Sequence, residues 1–156
     1  MSRIVLPDSI RGPARDRIDT SSVSVAEPIR FSDMDAYGHV NNAVYFRLFE
    51  QARMVFLQAI GLTLDLDDPG VGPILAETRC RFRIALTHPD ATFVGASARE
   101  IGPHWFTMDY VVVSEQHNAV AAQGDARIVV YDYARREKCP LPDTVKAAMT
   151  SLATAT

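Results

Sequence analysis

The chain has 156 residues, 47% of them hydrophobic and 22% charged, with a formal net charge of −3 and a pI near 5.8. That length suits one soluble domain with its own core, and the acidic balance argues against wholesale binding to nucleic acid or to anionic membranes. Two cysteines, Cys80 and Cys139, are too few for a disulfide framework, and no apolar run approaches the roughly 18 residues of a bilayer-spanning helix.

Residues 1–22 are broken by Pro7, Gly12 and Pro13 and interspersed with charges. They read as a flexible N-terminal arm with no apolar stretch of signal-peptide length, so a cytoplasmic protein is expected. The ordered domain, residues 23–156, begins with Val23, Val25, Ile29 and Phe31 in the period-2 alternation of a half-buried strand. Pro28 cannot donate to a ladder and places that strand at an edge or a bulge.

A turn-forming stretch, Asp33 to Asn42, then leads into a helix predicted over Ala43–Ile60. Asn41 or Asn42 supplies an N-cap, and Gly61 stands where a helix commonly stops. Apolar side chains cover most of its circumference, and its polar members Arg47, Glu50, Gln51 and Gln58 fall mainly on one stripe, so the helix must be enclosed.

After a Gly/Pro/Asp-rich loop over 61–73 the period becomes 2 and stays there. Thr78, Cys80, Phe82, Ile84 and Leu86 share one strand face, with Glu77, Arg79, Arg81 and Arg83 on the other. Thr92–Ile101, His104–Ser114 and Val120–Tyr133 also read as strands, joined by short turns that imply antiparallel neighbours. A short helix is predicted over Asp143–Met149. The sum is an α+β fold, a curved antiparallel sheet around one long apolar helix. A single sheet leaves edges unpaired, and a homodimer that joins them is the simplest remedy.

Several chemistries find no support. No nucleophile elbow, P-loop or dinucleotide fingerprint occurs, and the four histidines lack ligand spacing, so no metal is expected. Cys80, on an apolar strand face, reads as a buried inert thiol. The turn before the long helix holds Asp33, Asp35, His39, Asn41 and Asn42 beside a helix start, where free backbone N–H groups and the positive dipole end can stabilise an oxyanion. Gly38 allows a sharp turn and close approach of a ligand. A carboxylate there could attack a carbonyl or deprotonate a water; the alternative is that Asp33 and Asp35 only stabilise the turn.

The run Arg30-Phe31-Ser32-Asp33-Met34-Asp35-Ala36-Tyr37-Gly38-His39-Val40-Asn41-Asn42-Ala43-Val44-Tyr45-Phe46, followed by Phe49-Glu50-Gln51-Ala52-Arg53, resembles the signature of the 4-hydroxybenzoyl-CoA thioesterase-like hotdog family. Gly124 to Pro142 resembles the family's last strand and end. The resemblance implies a hotdog fold and hydrolysis of acyl-CoA thioesters by a homodimer or homotetramer, without a cofactor because coenzyme A belongs to the substrate. Carried over by position, it makes Asp35 the catalytic carboxylate, puts the carbonyl-polarising amide at about Asn42 and draws His39 into the site. Tyr37, Gly38 and Asn41 become substrate-binding candidates on the same turn. Acyl-ACP thioesterases carry Asn two residues after the Asp, where this chain has Tyr37, which weighs against that branch.

Glu50 resembles an acidic position that some relatives use from a partner subunit; a plain polar-stripe residue is the other reading. Arg79 and Arg81, with Arg83 in the same row, suit the phosphates of coenzyme A or else form a solvated strand face. A hotdog domain that binds acyl thioesters without cleaving them, an acyl-ACP thioesterase, and a dehydratase on the same fold are the rival functions.

Overall fold

The computed structural model describes residues 4–63, 65, 67 and 70–154. Strand β1 (Val23–Ile29) leads through a 3-10 turn (Phe31–Asp33) to the central helix, here numbered α2 (Asn42–Ala59). Strands β2 (Val71–Phe82), β3 (Asp90–Arg99), β4 (Trp105–Ser114) and β5 (Ala119–Asp132) follow, then a two-residue β6 (Glu137–Lys138) and helix α3 (Asp143–Thr154). The spatial order is β1-β3-β4-β5-β2, every neighbouring pair antiparallel, with β6 beside β5. This is the hotdog architecture.

Helix α2 links the two edge strands and so must cross the whole concave face. Eighteen residues at about 1.5 Å each give it roughly 27 Å of length. Leu48, Phe49, Ala52 and Phe56 are buried on it and join Val94, Ala96, Phe106, Met108, Tyr110, Val112, Ala122, Ala126 and Ile128 from the inner sheet face in one core. The Phe49 and Tyr110 rings stack at 4.7 Å with 12° between planes. Gly124 on β5 makes that approach possible, because a Cβ there would lie 2.4 Å from the Phe49 ring and 2.4 Å from the Arg79 carbonyl.

The predicted elements are present with shifted ends. Asn41 is the N-cap of α2, its Oδ1 accepting from Ala43 N–H at 2.9 Å, and Gly61 follows the helix with φ +71°. Pro28 lies in edge strand β1. Phe31 has left the strand for the 3-10 turn and is 79% exposed. Strand β2 starts at Val71, inside the predicted loop, and ends at Phe82, so Ile84 and Leu86 belong to the following connection. Residues 64, 66, 68 and 69 of that loop lie outside the described residues. Helix α3 runs on to Thr154, five residues beyond the predicted end.

The N-terminal segment departs most from expectation. Residues 1–3 of the expected flexible arm lie outside the described residues, but the rest is docked and contains helix α1 (Gly12–Asp19). Leu6, Ile10, Ala14 and Ile18 are buried against Phe93, Val111 and Val113, which point out of the sheet face opposite α2. Pro13 starts this helix rather than breaking it, as a proline in the first helical turn leaves no hydrogen bond unmade. The apolar residues recur every four positions, and covering the outward-facing valines gives the segment a reason to fold.

Candidate active site

The turn between β1 and α2 is closed by its own backbone. Asp35 N–H donates to the His39 carbonyl at 2.8 Å, and Gly38 N–H donates back to the Asp35 carbonyl at 3.1 Å. Gly38 has φ +79°, a region that L side chains enter at a cost of roughly 1–2 kcal/mol. The Asp35 carboxylate accepts from Tyr37 N–H at 2.8 Å through Oδ1. Its other oxygen has no hydrogen-bond partner among the described residues.

Two further ties fix the turn to the body of the protein. Val40 N–H donates to the Leu86 carbonyl at 2.8 Å, holding the turn against the connection after β2. Asp33, 8% exposed, accepts from Arg30 N–H at 2.9 Å and from Arg47 Nη2 at 2.9 Å, and its carbonyl accepts from Asn41 N–H at 2.9 Å. Asp33 thus works as the brace of the turn, bonded to groups before, within and after it.

An open cleft of about 330 Å³ lies beside this turn, lined by Asp35, His39, Val40, Asn42, Tyr45, Phe82, Arg83, Ile84 and Ala85. Of the first helical residues, Ala43 N–H is taken by the Asn41 side chain and Val44 N–H by the Asn41 carbonyl, whereas Asn42 N–H has no acceptor among the described residues. The cleft therefore joins a carboxylate, an imidazole and a free amide at the positive end of α2, against a half-apolar wall. Tyr45 packs edge-on against Phe82 with centroids 5.0 Å apart, and its hydroxyl donates to the Ile84 carbonyl at 3.3 Å. Burial raises the Tyr45 pKa, which keeps the phenol neutral. Burial also pushes the Cys80 thiol up to about 11, in keeping with an unreactive side chain.

Asp35, His39 and Asn42 thus meet at one cleft, with Gly38 shaping the turn and Asn41 capping the helix. Tyr37 is 88% exposed and does not line the cleft. Glu50 is exposed, 3.9 Å from the Arg53 guanidinium and outside the cleft. Arg79 is engaged by Glu77 at 3.1 Å and Asp125 at 3.5 Å, on the outer face of the sheet. Arg81 lines a second cleft on that outer face. The wall formed by Phe82, Arg83, Ile84 and Ala85 was not legible as part of the site. Its sequence continues the alternation of β2, and no local signal marks where the chain leaves the sheet.

The family model of the thioesterase-like superfamily matches residues 29–149, and the chain belongs to that superfamily of thioester hydrolases. Among similar solved structures is a Thermus thermophilus thioesterase in complex with coenzyme A and zinc, 26% identical, with 87% of this chain and 97% of that one covered at a TM-score of 0.76. A gentisyl-coenzyme A thioesterase is 27% identical over 81% of this chain and 98% of its own, with a TM-score of 0.71. A curated Aquifex aeolicus protein that carries the provisional name of an esterase is 32% identical over 88 residues, 56% of this chain and 69% of that protein.

Among the described residues no helix is long and apolar enough to cross a membrane.

Proposed function

We propose that this chain is a cytoplasmic, homo-oligomeric acyl-CoA thioesterase whose reacting centre is the Asp35 cleft. The observation that carries this reading is the Asp35 carboxylate sharing one cleft with the unpartnered Asn42 N–H at the start of α2. The thioester carbonyl oxygen accepts from Asn42 N–H, where the helix dipole favours the negative charge that builds in the transition state. Asp35 takes a proton from a water that adds to the carbonyl carbon, or adds itself to form an anhydride that water then opens. Either way the carbon–sulfur bond breaks, the sulfur leaves as coenzyme A thiol with one proton, and the acid is released. His39 orients the carboxylate or the water from the same cleft. Water is the only co-reactant, so the reaction balances without a metal or cofactor.

A coenzyme A carrier fits two features of the surroundings. A relative named as a gentisyl-coenzyme A thioesterase and a thioesterase solved with coenzyme A share the fold at more than a quarter identity, and Arg81 and Arg83, unlike the ion-paired Arg79, offer planar donors for phosphate. The edge strand β2 supports the oligomer. It is a 12-residue edge strand with β5 on one side only, and Val71, Leu75 and Phe82 are exposed on it. Such an edge is stabilised by pairing with a second copy, as a homodimer or within a homotetramer.

The test is free-thiol release from acyl-CoAs ranging from short-chain and aromatic to palmitoyl, comparing wild type with Asp35→Asn. A fall of about 100-fold or more in kcat, with fold and oligomer retained, is expected for loss of the carboxylate. No turnover by wild type on any member would remove the hydrolase reading for CoA esters and leave a binding role. Light scattering that finds a monomer would remove the oligomer.

A further inference from the structure

The docked helix α1 does more than cover valines. Between it and the end of β2 lies a cleft of about 350 Å³, lined by Arg17, Arg81, Arg83, Gln123, Asp109 and Asp125 together with Tyr110 and Gly124. Ala14 and Ile18 hold α1 down by their burial, which leaves Arg17, between them in sequence, on the flank that faces β2.

The charges in this cleft are not equally free. Asp109 is held by Arg99 at 2.8 Å, and Asp125 by Arg79 at 3.5 Å, two arginines that do not line the cleft. Arg83 Nε donates to the neutral amide of Gln123 at 2.8 Å. The side chains of Arg17 and Arg81 make no hydrogen bond or ion pair among the described residues. Three guanidinium groups therefore remain to take an anion, while each acid is ion-paired to an arginine outside the cleft, Asp109 sharing Arg99 with Glu100 and Asp125 sharing Arg79 with Glu77. Arg83 also lines the Asp35 cleft, so the two depressions share that residue. A ligand with a carbonyl at Asp35 and a phosphate-bearing tail passing Arg83 would run toward Arg81, two residues back along the chain.

We infer that this outer cleft is the phosphate-binding site for the nucleotide of coenzyme A, with Arg17 of the docked N-terminal helix acting beside Arg81 and Arg83. The inference rests on the acyl-CoA reading and refines it. The arginine row expected from β2 alone is replaced by a cluster drawn from two distant segments, and Arg79 drops out because Glu77 and Asp125 occupy it. Forked guanidinium donors match a pyrophosphate and a 3′-phosphate, and they add nothing for a carrier that lacks phosphate.

The test compares wild type, Arg17→Ala, Arg17→Lys and Arg81→Ala, with Arg136→Ala in the distant β5–β6 turn as a surface control. Each is assayed with one acyl group on coenzyme A, on 4′-phosphopantetheine and on pantetheine, and binding of adenosine 3′,5′-bisphosphate is followed by calorimetry. The expected result is a KM for acyl-CoA raised about 10-fold by Arg17→Ala and by Arg81→Ala with kcat kept, corresponding to the loss of one charge-assisted contact each. The KM for acyl-pantetheine should move less than about 2-fold, bisphosphate affinity should fall in step with the acyl-CoA effect, and Arg17→Lys should restore part of both. An Arg17→Ala enzyme with unchanged bisphosphate affinity and unchanged acyl-CoA KM overturns the site. Equal losses on the coenzyme A and 4′-phosphopantetheine substrates overturn its assignment to the nucleotide. Bisphosphate binding that depends on Arg17, in a protein that cleaves no thioester, would uphold the site and overturn the hydrolase. Hydrolysis of acyl-CoA without bisphosphate binding would do the reverse.

Discussion

Arg47 of α2 and the buried carboxylate of Asp33 stand 2.9 Å apart and clamp the Asp35 turn onto the first turns of the helix. Asp33 and Asp35 are neighbours in one short motif, yet their surroundings divide the work. One is bonded on three sides and nearly sealed from solvent; the other keeps an oxygen free beside a cleft.

This division predicts different failures. Asp33→Ala strands the Arg47 guanidinium and the Arg30 N–H, and should destabilise the fold by about 1–3 kcal/mol in denaturant titration. The surviving folded fraction should lose kcat as the turn loosens. Asp35→Asn should lose activity with stability held within about 0.5 kcal/mol, because the amide oxygen can still accept from Tyr37 N–H. Equal stability losses in the two variants would contradict the assignment.

Gly38→Ala meets no atom within 4 Å, so any effect is conformational. Forcing alanine to φ +79° should cost roughly 1–2 kcal/mol of turn stability, visible as a lowered melting temperature and reduced kcat on the best substrate. Unchanged activity and melting would mean that the turn is not held in this geometry.

The docking of the N-terminal segment is testable in the core beneath it. Ile10 is fully buried against the outer valine cluster, and Ile10→Ala should cost about 2–5 kcal/mol if the segment unfolds together with the domain. A wild-type midpoint for Ile10→Ala, with residues 4–22 cleaved rapidly by protease, would show an arm that is not part of the folded unit.

The Cys80 thiol gives a pH readout. In a Cys139→Ser background, alkylation should follow a midpoint near 11, because burial disfavours the thiolate. The sign for stability is the same: the raised pKa favours the protonated native state. That contribution is complete below the ordinary thiol range and is lost as pH climbs through about 11. A midpoint close to the free-cysteine value of about 8.5 would show that Cys80 is open to solvent.

The sequence by itself determined the order of strand, enclosed helix and four strands, an asparagine N-cap at Asn41 or Asn42, and the gathering of Asp35, His39 and Asn42 in one turn. Each of these is local. Periodicity, capping and turn chemistry act within a few residues, so they can be read from neighbours in the chain. Tertiary structure decided the rest. It turned residues 4–22 from a loose arm into a docked segment that contains α1, because the apolar spacing of Leu6, Ile10, Ala14 and Ile18 acquires meaning only once β3 and β4 present Phe93, Val111 and Val113 opposite. It placed Phe82 to Ala85 across from Asp35, gave Arg79 to Asp125, and set Arg17 beside Arg81. Those pairings depend on strand register and sheet curvature, which are summed over the whole fold and leave no mark on any single stretch of sequence.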